Sequence, residues 1–206
     1  IGLVGSEMCI RDRQEVLALK PHSILVATGS NVISIPLEGL DQVQTVQAHD
    51  VLANDMQFAN KKVVVIGGGI TGLETALYIN RQGTNQVSVV DMLPEWPVDM
   101  LDMRYQNEAL LEVRHCNDQG VALFYNNKVV KFADGKLFIE STKDGEVKEL
   151  PADVIVLSVG VKPNDALWQE LLASGHPSVW KAGDAIATGK INKAVLHGSK
   201  FGYSLN

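Results

Sequence analysis

Gly67, Gly69 and Gly72 stand at G-x-G-x-x-G spacing inside the stretch VVVIGGGITGLE. Residues of this kind at this spacing let main-chain N–H groups close on a pyrophosphate, the alternative being a glycine-rich turn that is only structural. Gly67 permits a tight turn, Gly69 lets the backbone come close to the phosphates, and Gly72 lets a following helix pack hard on the preceding strand. Gly68, Ile70 and Thr71 complete the set expected against the ligand. A helix opening there points its free N–H groups and the positive end of its dipole at the anion. Asp91 lies about 20 residues further on, where the pattern places an acid against a ribose. Its carboxylate would accept from the adenosine ribose hydroxyls and repel a 2′-phosphate. Met92 and Leu93, which follow it, bring no cation, so NADH is expected over NADPH. The alternative is that Asp91 only caps the turn MLPEWP. Glu74 either faces the nucleotide or supports the first helical turn electrostatically.

The elements around these residues are legible from periodicity. Residues 62–66 form a β-branched run and predict a strand, and Leu73, Leu77 and Ile79 give residues 71–82 the apolar spacing of a helix packed on a sheet, which Gly83 ends. A second strand covers 86–90, a helix 99–119 and a third strand 121–125. Three short alternating runs follow at 128–132, 136–141 and 146–150. Asp-Gly pairs separate them, the turn chemistry of antiparallel hairpins. Buried strands are expected at 152–160 and 178–185 and in KPHSILVATGS, with a helix at the carboxy-terminal end. AHDVLAND predicts a short helical turn. The βαβαβ order, a small meander and a returning strand describe an α/β fold with a Rossmann-like, doubly wound unit.

Composition bounds the partners. With 206 residues, 46% hydrophobic and 20% charged, the chain has the make-up of a globular protein. A net charge of −6, with scattered Lys and Arg, argues against a nucleic-acid partner. The apolar runs near 63–70 and 154–161 fall well short of the ~20 residues of a membrane helix. Cys9 and Cys116 form neither a CxxC pair nor a disulfide framework, which fits a reducing, cytoplasmic setting. Cys116, on a predicted helix, is expected to be a buried or incidental thiol. No catalytic side chain and no metal-ligating set is assigned. Trp96, Trp168 and Trp180 are expected to be packing anchors.

The opening LVGSEMCIRD has neither an apolar h-region nor an amphipathic period. It resembles the translation of a transposase adapter from sequencing-library preparation. On that reading residues 1–13 are a non-native leader and the chain is a fragment that begins within a gene.

Five phrases in order, SILVATGS, KKVVVIGGGITGLETALYI, VSVVDMLPE, VIVLSVGVKPN and VWKAGDA, resemble the flavoprotein reductases in which an NAD domain is inserted into an FAD domain. VVDMLPE, GVKPN and GDAIATGKINKAVLHG are most similar to the carboxy-terminal reductase half of Old Yellow Enzyme-like NADH:flavin oxidoreductases of the 2,4-dienoyl-CoA and 2-enoate reductase type. The resemblance covers nearly all of 20–202. It implies a partial FAD-binding segment at 14–59, an NAD(H)-binding domain at 60–162 and a returning FAD segment at 163–206. It makes the Gly67 turn the NAD loop, because that turn follows the ATG strand. It further implies that Asp184 hydrogen-bonds the FAD ribitol, with Gly183 allowing close approach. Thr28 and Gly29 would lie near the FAD at the domain crossover, and Gly160 would border the nicotinamide.

The cofactors so implied are NAD(H) and FAD. The FMN barrel and the 4Fe-4S cysteines of such enzymes, and an upstream FAD glycine motif, have no counterpart here and would belong to an amino-terminal region of the same polypeptide. His197 is given no catalytic role, since nicotinamide-to-flavin hydride transfer needs no side-chain proton carrier. Two other readings stay open: a ferredoxin or rubredoxin reductase, and an NAD-binding module that is catalytically silent without the upstream half.

Overall fold

The structure is a computed structural model that describes residues 12–94 and 103–205. Cys9, Trp96, nearly all of the leader and the start of the helix expected at 99–119 lie outside the described residues. The first elements are α1 (Arg13–Ala18), β1 (Ile24–Val26), β2 (Ser30–Val32), β3 (Gln44–Gln47) and α2 (Ala48–Ala53). There follow β4 (Lys62–Ile66), α3 (Ile70–Arg81), β5 (Gln86–Asp91), α4 (Met103–Asp118) and β6 (Ala122–Tyr125). Next come β7 (Asn127–Ala133), β8 (Lys136–Ser141), β9 (Val147–Pro151), β10 (Val154–Leu157) and β11 (Val161–Pro163). The last are α5 (Ala166–Ala173), β12 (Val179–Lys181) and α6 (Ile191–Ser204). The chain divides into two compact units, one of Ser34–Gly160 and one made from the segments on either side.

The Ser34–Gly160 unit is built on a five-stranded parallel sheet in the order β3-β10-β4-β5-β6. β10 is apolar at every position, and β4 at every position after Lys62, because both faces are covered. Val63, Val65, Val87, Val89, Val154 and Val156 turn to the face packed by α2, α3 and α4. Val64, Ile66, Val90, Ile155 and Leu157 turn to the other, where Phe132, Leu137 and Ile139 of the meander β7–β8–β9 cover them. The β7–β8 turn places Asp134 at φ 53° and Gly135 at φ 73°, two left-handed residues in succession, as Asp-Gly favours.

On the helical face, α3 buries Leu73, Ala76, Leu77 and Ile79. Asn85 is buried and fully used: its Nδ2 donates to the carbonyls of Phe58 (2.9 Å) and Ile79 (3.2 Å), and its Oδ1 accepts from Lys61 N–H (3.0 Å). It therefore fixes the entrance to β4. Cys116 is 0% exposed, and burial, with the charge of Glu112 adding to it, pushes its thiol up to about 11. The thiol keeps its proton at neutral pH and packs as a small apolar group.

The domain boundary differs from the sequence expectation at one end. Residues 34–59 were expected with the FAD segments, yet β3 pairs in parallel with β10 and α2 packs on α3, so they belong to the sheet unit. The return, expected after 162, comes at 160/161.

The other unit contains two small sheets. β1 and β12 pair in parallel, with Ile24 opposite Val179 and Val26 opposite Lys181. Ile24, Val26 and Leu171 are its buried core, and Leu167, Trp168 and Val179 pack against them. Lys181 Nζ lies 4.0 Å over the Trp168 ring and 3.0 Å from Asp165, whose carboxyl it holds below its ordinary pKa. Trp168 is thus the packing anchor expected, whereas Trp180 is 44% exposed and meets only the edge of Phe201 in a ring contact. β2 and β11 pair antiparallel, so the strand that leaves this unit lies beside the strand that returns to it. α6 buries none of its residues, and Ile191, Val195, Leu196 and Tyr203 stand exposed along it. Among the described residues no helix is long and apolar enough to cross a membrane.

Candidate functional site

The glycine turn joins β4 to α3 at the carboxyl edge of the parallel sheet, the edge at which open α/β sheets hold ligands. Each glycine meets a different constraint. Gly67 has φ +111°, and a Cβ there would stand 2.2 Å from the carbonyl oxygen of Ser158, just past β10. A Cβ at Gly72 would stand 2.0 Å from the Gly67 carbonyl oxygen. Both positions are closed to side chains by the protein itself. Gly69 is the opposite case: it is the N-cap of α3 with φ −71° and ψ 173°, and an added Cβ would meet no protein atom within 4 Å. The fold would accept alanine at 69. A bound pyrophosphate drawn up to the main chain would not, so the residues present fit the group that the spacing implies.

The N–H groups around the turn are divided between the protein and the open side. Gly67 N–H donates to Val90 O at 2.8 Å, which ties the turn to β5. Gly68 N–H donates to Asp91 Oδ2 at 2.6 Å. The first intrahelical bond of α3 runs from Leu73 N–H to Gly69 O at 3.0 Å. Helix geometry leaves the N–H groups of Ile70, Thr71 and Gly72 without an intrahelical acceptor, aimed where an anion would sit. Ile70 is half-buried, Thr71 and Glu74 are exposed, and Thr71 O accepts from Thr75 Oγ1 at 2.6 Å.

Asp91 ends β5, half-buried, beside Tyr125 of β6 in the sheet register. Besides Gly68, it accepts from Leu93 N–H through Oδ1 at 2.8 Å. Capping the following turn was the alternative to a ribose contact, and the cap is present. A carboxylate has about four acceptor positions, so these two bonds leave room for ribose hydroxyls. Tyr125 is a residue the sequence reading treats only as a strand end. Its ring carbon Cε1 would be 2.9 Å from a Cβ on Gly68, so it closes that position from below. The only sequence signal for it is its place at the end of the strand after Asp91.

The remaining expected residues form a second group. Thr28 Oγ1 donates to Asn164 O at 2.5 Å, and Asn164 N–H donates to Gly29 O at 3.0 Å, so the ATG and VKPN phrases interlock. Asp184 is half-buried in a short 3-10 turn, Gly183–Ala185, that precedes α6. Its Oδ1 accepts from Gly189 N–H at 3.0 Å, and Ser30 Oγ donates to its Oδ2 at 3.5 Å. Gly183 holds φ +61° and Gly29 φ +73°. The carboxylate keeps spare acceptor positions beside the first turn of a 14-residue helix, a donor and acceptor set that fits a polyhydroxyl chain. Gly160 closes the sheet unit at φ +89° in open space. It lies two residues beyond Ser158, which packs on Gly67. Thus Gly67, Gly68, Gly69, Gly72 and Asp91 come together in one unit, and Thr28, Gly29, Gly183 and Asp184 lie in the other.

Comparison with known proteins agrees with this architecture. An NADH oxidase of Thermoanaerobacter brockii is 31% identical over an alignment 202 residues long that covers 94% of this chain and 29% of the relative. A cinnamate reductase of Clostridium sporogenes is 30% identical over an alignment 166 residues long that covers 77% of this chain and 23% of the relative. The chain therefore spans less than a third of either relative. Among solved structures, a 2-naphthoyl-CoA reductase matches with a TM-score of 0.78 at 23% identity, over 93% of this chain and 28% of its own, a likeness of fold. The family model described as pyridine nucleotide-disulphide oxidoreductase matches residues 5–198, and the chain belongs to that family of FAD- and NAD(P)H-binding oxidoreductases.

Proposed function

We propose that this chain is the reductase portion of a flavin-dependent NADH oxidoreductase, with NADH docked on the Gly67–Gly72 turn and FAD held in part by Asp184. When both are bound, the nicotinamide supplies a hydride and the flavin accepts it. The observation that carries the reading is the turn itself, in which Gly69 is free of any steric demand from the protein while Gly67 and Gly72 are not. The N–H groups of Ile70, Thr71 and Gly72 hold the pyrophosphate, and Asp91 receives the adenosine ribose and opposes a 2′-phosphate. Gly160 leaves space beside the nicotinamide. Thr28, Gly29, Gly183 and Asp184 orient the flavin end, with the α6 amino terminus beside it. The chain's contribution is positioning, which supplies much of the rate in such transfers.

On this reading an upstream region of the same polypeptide would hold the FMN and the 4Fe-4S cluster, and these would supply the chemistry for reducing an enoate or dienoyl-type double bond. The cinnamate reductase relative supports that acceptor class, and the short share of each relative that the chain spans supports a longer polypeptide. The exposed apolar residues of α6 and the unaccompanied β1–β12 pair offer the surface such a region would cover.

NADH-driven dye reduction by the purified chain, with and without added FAD, tests the redox part. Flavin-dependent dye reduction is the expected result. A chain that binds NADH yet reduces no dye at saturating FAD would instead be a nucleotide-binding module and no more.

A further inference from the structure

Asp91 is bonded at both ends to its own main chain. Oδ2 takes Gly68 N–H at 2.6 Å and Oδ1 takes Leu93 N–H at 2.8 Å. The first bond reaches back from the end of β5 to the middle of the glycine turn, and the second closes the turn that follows β5. Gly68 has little freedom to point elsewhere. A Cβ there would sit 2.9 Å from Tyr125 Cε1 and 3.2 Å from Asp91 Cβ, so the backbone at 68 is already in close contact with both strand ends. Gly68 is also the one residue of the G-G-G run whose N–H is drawn away from the phosphate side by a side chain. It was expected to contact the ligand; its N–H is committed to the protein.

We propose, on the reading that this turn docks NADH, that Asp91 is a positioning residue for the pyrophosphate loop as well as a ribose acceptor. Tyr125 is its backing. With Gly68 fastened to Asp91, the neighbouring Gly69 and the first N–H groups of α3 are held facing the phosphates before any ligand arrives. The chemistry of the side chain explains why a carboxylate is needed. Two N–H donors converge on it, one per oxygen, so an asparagine would satisfy one and present its own NH2 to the other. Asp91→Asn therefore disturbs the loop whichever way the amide turns.

The test separates the two roles by removing the ribose contact from the ligand instead of the protein. NADH and an NADH analogue lacking the adenosine 2′- and 3′-hydroxyls are titrated into the wild-type chain and Asp91→Asn, which forms a double-mutant cycle. Wild type binds NADH. Asp91→Asn weakens NADH about 30-fold and still weakens the dideoxy analogue about 10-fold, because the loop is disturbed in both cases. If the substitution leaves the analogue's affinity unchanged, Asp91 acts through the ribose alone and the positioning role is wrong. If wild type itself binds no NADH, the docking reading fails instead, which is a different outcome. Amide hydrogen exchange on the unliganded wild type needs no variant to fold: Gly68 N–H is protected there, and exchange at the rate of a free turn amide overturns the proposal.

Discussion

Gly69→Ala leaves stability intact and weakens NADH binding about 100-fold. The prediction follows from two facts about one position. The backbone at 69 is extended, φ −71° and ψ 173°, so alanine adopts it without strain, and the new methyl would touch no protein atom within 4 Å. Replacing glycine removes freedom from the unfolded chain, worth about 0.4–1 kcal/mol, and alanine is a poorer N-cap than glycine by about the same amount, so the two offset and stability holds. On the proposed docking of NADH, the methyl stands where main chain and pyrophosphate approach, so the loss falls on the ligand. Thermal melting and NADH titration of the same preparation check both halves. Unaltered NADH affinity in a folded Gly69→Ala chain would mean that no phosphate comes near this residue.

Gly67→Ala gives the reverse pattern. At φ +111° an alanine is strained by about 1–3 kcal/mol, and its Cβ would stand 2.2 Å from the backbone oxygen of Ser158, which has no rotamer by which to yield. Overlap of that kind adds about 1–3 kcal/mol, and Gly67 N–H must keep its bond to Val90 O while the chain shifts. The expected total is about 4 kcal/mol, a fall of more than about 10 °C in the melting of the Ser34–Gly160 unit. A soluble Gly67→Ala chain with wild-type melting would show that the turn is built differently. Two glycines separated by one residue are thus predicted to report on different things, the fold at 67 and the ligand at 69.

The sequence made this contrast only half visible. G-x-G-x-x-G after a β-branched strand locates the turn, and β4 and α3 fall within a residue of where periodicity places them, because strand and helix there are long and strongly patterned. The Asp-Gly hairpins of the meander were equally legible, since that dipeptide suits the left-handed turn it occupies. β3 was not. Gln44–Gln47 reads QTVQ, an edge strand of four residues with a single large apolar side chain, and only its pairing with β10 identifies it. That omission carried the domain boundary with it, from 33/34 to 59/60. β2 and β11 were missed for a similar reason, being three residues each and held by one another instead of by a core. α5 was within reach, as Leu167, Trp168 and Leu171 have helical spacing.

At the site, spacing fixes which residues approach the turn but not how their hydrogen bonds are shared. From the sequence, Asp91 is either ribose acceptor or turn cap, two exclusive choices. Its two oxygens hold Leu93 N–H and Gly68 N–H, and the second bond joins positions 23 residues apart, which no local pattern encodes. Asp184 is similar: Gly189 is within reach of a sequence argument, and Ser30, 154 residues away, is not. Charges and glycines are read from sequence, whereas the partners that hold them still are set by strand register.

On the proposed function, the turn from Gly67 to Gly72, with Asp91 beside it, seats NADH. Calorimetric titration of NADH and of NADPH into the purified, folded chain tests it most directly. The expected result is one NADH per chain, with NADPH at least about tenfold weaker because the Asp91 carboxylate would face the added phosphate and no cation follows it. A folded chain that takes up neither nucleotide, or one that prefers NADPH, would contradict it.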